Sequence, residues 1–208
     1  MRLAIPSPTG PGPDTHVRTR LPDGGYAALR PLRAGETGPL DAVFDGLSPR
    51  SRQRRYLVPM PRLPGPFRRL LTDVDGCDHV AWLALVHGRP AGLARYVRTG
   101  PDRADLAFEV VDAHHGRGIG SVLVDAVGTV AVARGITWLE AVVEPGNAAS
   151  LALLGRLGIG LSADGGLLAG RGRFRLPTPA RVDRAAVLAL AARTRCGDDA
   201  PVPALLTS

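Results

Sequence analysis

Between Ala104 and Val143 a strand-like run, a glycine-rich loop, a long apolar helix and a second strand-like run follow one another without a break. The helix is marked by Ile119, Val122, Leu123, Ala126, Val127, Val130 and Ala131, a spacing that returns to one face about every 3.6 residues. Gly135 stands where a C-terminal cap is wanted, and the strand Thr137 to Val143 follows at once. A strand–helix–strand succession of this kind requires a parallel crossover, and that excludes a purely antiparallel sheet.

The rest of the chain fits round this unit. Tyr26 to Arg33 reads as the first strand, and the two dozen residues before it, 1–24, as a Pro/Gly-rich tail. Gly35 to Leu47 and Ser48 to Leu57 read as short helices. The second begins on a Ser48 cap with Pro49 at the first helical position. His79 to Val86 and Ala91 to Arg98 are apolar runs joined by His87-Gly88-Arg89-Pro90, a hairpin. Asn147 to Leu157 forms a second helix ending at Gly158, Gly166 to Leu176 a last strand, and Val182 to Arg195 a C-terminal helix with a tail behind it. The expected division is the tail 1–24, one domain over 25–177, and the C-terminal helix and tail over 178–208. A chain of 208 residues suits one core rather than two.

Charge invites a nucleic-acid reading, since the net charge is +7, but every one of the 26 basic residues is arginine. With abundant Ala, Gly, Pro and Leu, this points to the coding bias of a GC-rich genome. Clusters such as Arg50, Arg52, Arg54 and Arg55 attract anions. Aromatic residues are only 4%, so a stacking platform for bases is poorly supported, and nucleic acid is not the expected partner. No apolar run approaches the ~18 residues of a membrane span, and no signal peptide is legible, so a cytoplasmic protein without a membrane partner is expected. Cys77 and Cys196 belong to no CxxC pattern and read as two reduced thiols. His114 and His115, being adjacent, point in different directions, and no metal site is expected.

The chemistry is concentrated in Val110-Val111-Asp112-Ala113-His114-His115-Gly116-Arg117-Gly118-Ile119-Gly120-Ser121. Alternating glycines before a helix leave backbone N–H groups unpaired and accessible, with the positive end of the helix dipole behind them, which suits phosphate oxygens. No Gly-Lys-Ser/Thr follows, and GxGxG is not the dinucleotide spacing GxGxxG. The segment His115-Gly116-Arg117-Gly118-Ile119-Gly120, with Asn147-Ala148-Ala149-Ser150 downstream, resembles the GNAT superfamily of N-acetyltransferases. It departs from the family pattern at His115, where Gln or Arg is usual. The resemblance covers about Tyr26 to Leu161. Leu47-Ser48-Pro49, Asp75 to Ala81 and Ala94-Arg95-Tyr96-Val97 resemble the bacterial protein lysine acetyltransferase branch.

That resemblance implies an α/β (α+β) fold of the GNAT type: a central mixed, mostly antiparallel sheet, splayed between its fourth and fifth strands and flanked by helices. It implies acetyl-CoA as cosubstrate and no metal. The pyrophosphate would rest on His115, Gly116, Arg117, Gly118, Ile119, Gly120 and Ser121, and the pantetheine arm on the strand edge at Phe108 to Val110. Asn147 is either a pantetheine ligand or simply a helix N-cap. The reaction would be acetyl transfer to a primary amine, a protein lysine or a small molecule, by direct attack. Such an amine is protonated at neutral pH, with a reference pKa of about 10.4 for lysine, and must first lose a proton. The candidate bases are Asp105, at the position of the branch's catalytic Glu, and Glu109, four residues on and on the same strand face. A bulge in this strand would separate their directions. Leu154 stands where many relatives carry a tyrosine acid. A non-catalytic acetyl-CoA sensor is the rival from another class, and a homodimer is among the assemblies common in the family.

Overall fold

The computed structural model describes residues 15–194, and these build an open sheet of eight strands in the order β1-β2-β3-β4-β5-β6-β8-β7. The strands are β1 (Val17–Arg20), β2 (Tyr26–Pro31), β3 (His79–Val86), β4 (Arg89–Gly100), β5 (Arg103–Val110), β6 (Trp138–Val143), β7 (Ser162–Asp164) and β8 (Leu167–Arg173). The helices are α1 (Thr37–Asp45), α2 (Pro49–Tyr56), α3 (Gly65–Thr72), α4 (Ile119–Ala133), α5 (Ala148–Arg156) and α6 (Arg184–Ala191). All strand pairs are antiparallel except β5–β6, the crossover that α4 demands. Counted from Tyr26, these two are the expected fourth and fifth strands, so the mixed, splayed GNAT-type sheet is present. The β3–β4 hairpin turns through His87 and Gly88, both at positive φ.

Each face of the sheet has its own core. One is covered by α4, α5 and α6, and its cluster includes Leu29, Trp82, Tyr96, Leu106 and Leu139. The other is covered by α1, α2 and α3 over the first half of the sheet only, with Leu40, Val43, Phe44, Leu83 and Leu93 buried between. The alternation of β5 divides its side chains accordingly: Ala104 and Leu106 go to the α4 side, and Asp105, Ala107 and Glu109 to the other. Over β6 and β8 no described residue covers this second face.

Three expectations are corrected. The tail does not extend to residue 24: Val17–Arg20 pairs with β2, and Val17 and Leu21 enter the core. The Asp23-Gly24-Gly25 turn closes that hairpin, with Gly24 at φ +83 and the Asp23 carboxylate accepting from Gly25 N–H at 2.9 Å. The remainder of the expected tail, residues 1–14, lies outside the described residues. Secondly, α4 is buried on nearly every side rather than along one stripe. The C-terminal segment covers its outer face, so closely that a Cβ on Gly128 would sit 2.9 Å from Leu176 Cδ2. Thirdly, Cys77 is disulfide-bonded, a state that no local spacing foretells; the other cysteine, Cys196, lies outside the described residues.

Asp125, fully buried in α4, fastens that C-terminal cover. It accepts from Arg181 N–H at 2.5 Å and pairs with the Arg184 guanidinium at 2.8 Å. Arg184 also donates to the Pro177 carbonyl. Arg184→Ala should therefore cost about 2 kcal/mol, less than the ~3–5 kcal/mol of a wholly buried pair because Arg184 is partly exposed. Urea denaturation of the variant checks this.

Candidate active site

The ladder between β5 and β6 has three rungs, Arg103↔Trp138, Ala104↔Leu139 and Asp105↔Glu140. Beyond Glu140, β6 stays with β8 as far as Val143↔Leu168, while β5 stays with β4 as far as Val110. The sheet therefore forks at Asp105. Val111 N–H bonds the Ala91 carbonyl at 2.9 Å, so the alternation of the antiparallel ladder sends the N–H and C=O groups of Leu106, Phe108 and Val110 to the opposite edge, inside the fork. The β4–β5 register is unbroken from Arg98↔Ala104 to Gly92↔Val110, so no bulge separates Asp105 from Glu109.

The fork opens toward the glycine-rich loop. Gly116 and Gly118 have φ of +75° and +85°, a conformation that strains any other residue. Among the described residues, the N–H groups of Gly116 to Ser121 find no acceptor, and α4 has no side-chain cap. Six successive donors at the positive end of a fifteen-residue helix suit a diphosphate. His115 turns back on the fork, its Nε2 lying 2.8 Å from the Val110 carbonyl. Arg117 is held at Nε by the Asp23 carboxylate at 2.6 Å, and its Nη1 lies 3.0 Å from His114 Nδ1. The neighbouring guanidinium and partial burial lower the His114 pKa, burial being the larger cause. Pro22 rests against Gly118, where a Cβ would meet the proline ring at 2.7 Å. The β1–β2 turn thus braces the cradle, a contact that the sequence reading missed. Asn147 caps α5, its Oδ1 accepting from Ser150 N–H at 3.3 Å.

The two candidate carboxylates share a face but not an environment. Glu109 has a side chain only 2% exposed, and Arg55 Nε lies 2.6 Å from its Oε2. Arg95, buried on the neighbouring strand, donates to the Leu71 carbonyl at 2.5 Å, and burial pushes its pKa down to about 10. Tyr56 lies beside the same carboxylate, and burial together with Glu109 drives its hydroxyl pKa up. Glu109 is thereby locked into a buried cluster. Asp105 is half-buried, and among the described residues no cation lies within ion-pair distance of it. Burial first, and then the Glu140 carboxylate on the next strand, raise its pKa above the usual Asp value.

Helix α2 spans the fork from above. Arg55 reaches Glu109 on β5, while Arg54 pairs with Glu144 at 3.3 Å and donates to the Gly146 carbonyl at 3.1 Å, just beyond β6. Ser48, the expected cap, accepts from Ser51 N–H at 3.2 Å. Trp82, Tyr96 and Leu154 are wholly buried. A cavity of about 690 Å³ between α1 and α3, bordered by Asp41, Phe44 and Arg68, lies away from this chemistry. Among the described residues no cluster of three metal-ligating side chains occurs, and no helix is long and apolar enough to cross a membrane.

A forked mixed sheet with a diphosphate cradle at its mouth is the architecture of an acyl-CoA-dependent transferase. A profile of the Acetyltransferase (GNAT) family matches residues 46–159, more than half of the chain, and the chain belongs to that family. It is an N-acetyltransferase that uses acetyl-CoA. An acetyltransferase of Pseudomonas aeruginosa is 28% identical over 148 residues, covering 69% of this chain and 80% of that protein. The acetyltransferase Pat of Mycolicibacterium smegmatis is 31% identical over 156 residues, 69% of this chain, but the match spans only 44% of Pat. The crystal structure of the GNAT domain of S. lividans PAT superposes with a TM-score of 0.71 at 29% identity, covering 78% of this chain and 98% of that one.

Gly118→Ala meets both positive φ and Pro22, whereas a Cβ on Gly120 makes only ordinary contacts of 3.6 Å or more. We expect Gly118→Ala to weaken acetyl-CoA binding by at least about tenfold, and Gly120→Ala to stay within about threefold of the parent. Calorimetric titration of both variants checks the cradle.

Proposed function

We propose that the chain acetylates a primary alkyl amine, a protein or peptide lysine, with Asp105 as the general base acting through a water. The position of Asp105 carries this reading: it is the last rung before the strands part, half-buried and with no cationic partner among the described residues. When bound, acetyl-CoA supplies a thioester carbonyl open to a neutral amine. The amides of Gly116 to Ser121 hold its diphosphate, and the free edge of Phe108 and Val110 takes the pantetheine arm.

Asp105 accepts the proton that the amine must lose. A carboxyl with a raised pKa is the better base, because its protonated and ionised forms lie closer in energy at working pH. Glu109, held between Arg55 and Arg95, keeps α2 in place over the fork. Among the described residues nothing covers the face of β6 and β8 beside Asp105, as an extended polypeptide acceptor requires, and the match to Pat supports the protein acceptor. Leu154 offers no acid at the leaving sulfur. None is needed, since a thiol of pKa about 8.5 leaves readily as thiolate.

Asp105→Asn should lower kcat/KM by about a hundredfold or more without loss of stability. The sign follows from the raised pKa: above it the buried carboxylate is ionised at a cost, so stability at pH 7 stays level or rises in the variant. In the parent, kcat/KM falls as pH drops through that raised pKa. Glu109→Gln strands Arg55 and Arg95 and should cost about 3 kcal/mol by urea denaturation. Full activity of Asp105→Asn would remove it as the base.

A further inference from the structure

We propose that Glu140 is the acceptor-selecting residue: with Asp105 it forms a two-carboxylate seat for the ammonium group of the incoming amine, while Trp138 and Val142 flank the alkyl stem. This rests on the reading of Asp105 as the base. Glu140 is the direct partner of Asp105 in the parallel ladder, so both side chains leave the sheet on the same face, from strands about 4.8 Å apart. Trp138 and Val142 stand two residues to either side of Glu140 on that face, 38% and 50% exposed. The strand therefore presents an apolar–acidic–apolar strip where α1 to α3 no longer cover the sheet. A long aliphatic amine has the same order of parts, an apolar stem ending in a cation. An aromatic ring beside the seat adds to the attraction for that cation.

The surrounding charges leave the pair available. On β5, Arg103 lies 3.9 Å from Asp102; on β4, Val97 stands opposite Asp105, and Arg95 serves the Leu71 carbonyl. On β3, burial and Arg95 press His79 down to about 4, so it is neutral at pH 7. On α2, Arg55 pairs with Glu109 and Arg54 with Glu144. Arg171 and Arg173 of β8, opposite Glu140 and Trp138, are exposed, and neither comes within 4 Å of a described carboxylate. Two unneutralised carboxylates side by side repel each other, and a cation set between them relieves both.

The test compares parent, Glu140→Gln, Glu140→Asp and Asp105→Asn, using Nα-acetyl-lysine methylamide as a cationic acceptor and p-anisidine as one that is neutral at pH 7.5. For Glu140→Gln we expect KM for the lysine amide to rise about tenfold with kcat little changed, and KM for p-anisidine to hold. Glu140→Asp should recover part of the loss. Independently of turnover, carboxyl ¹³C NMR of the protein alone should show Asp105 titrating at lower pH in Glu140→Gln. Lysine amide should shift the Asp105 resonance in the parent and not in that variant. An unchanged KM and an unchanged Asp105 titration in Glu140→Gln would overturn the seat, as would a parent whose Asp105 resonance ignores the lysine amide. Failure of the base reading would look different: Asp105→Asn would stay active while Glu140→Gln still raised KM for the lysine amide alone, which supports the Glu140 selection.

Discussion

The site depends on the shortness of one ladder. β5 and β6 share three rungs and then part, and each can do so because it has a full partner on its other side. The cost falls on the inner-edge groups beyond the last rung, the N–H and C=O of Phe108 and the N–H of Val110, which need water or a ligand in place of a strand. A sheet that parts would be expected to close again or to gape. Helix α2 limits both, because two consecutive arginines at its end grip opposite branches of the fork, Arg55 holding Glu109 and Arg54 holding Glu144 and Gly146. The opening is thus a fixed gap between braced walls, suited to a narrow arm that makes main-chain hydrogen bonds.

The same brace explains why two carboxylates on one face of β5 have different surroundings. Glu109 lies under α2, out of water, where a lone charge would be untenable; it survives because Arg55 and Arg95 offset it. Asp105 lies at the edge of the covered region, with partial burial, a like-charged neighbour and no cation among the described residues. One strand thus carries a paired, buried carboxylate and a half-buried one four residues apart, and their difference comes from what α2 covers rather than from the strand.

Most of the fold was legible because it rests on local signals. The 3.6-residue repeat of α4, the caps at Ser48 and Asn147 and the His87-Gly88 turn each depend on a handful of neighbouring residues. The turn of the glycine-rich loop into α4 was legible for the same reason. What the sequence concealed was long-range. Nothing near Asp125 announces that Arg181 and Arg184 will cover α4, and nothing near Arg117 announces Asp23. The β1 strand hid in a Pro/Gly-rich stretch because four residues give little periodicity. Glu140 did leave a trace: it is the one charged residue in Trp138–Val143, a break in an apolar strand that a site would explain.

The hairpin turn at Asp23 bears on how the cradle binds. A glycine-rich loop is costly to order, and a loop that ordered only on contact with a phosphate would charge that cost to the binding step. Here Pro22 sits on Gly118 and Asp23 holds Arg117, so the loop has a defined course independent of the ligand. The same contact takes the Nε face of the Arg117 guanidinium, while His114 takes Nη1. Arg117 is therefore engaged in fixing the course of the loop, and the donors left over are the amides of Gly116 to Ser121 at the positive end of the helix behind them. On this account the departure at His115 costs little: the residue lies at the mouth of the fork on the Val110 carbonyl, and the loop's donors without an acceptor among the described residues belong to the main chain.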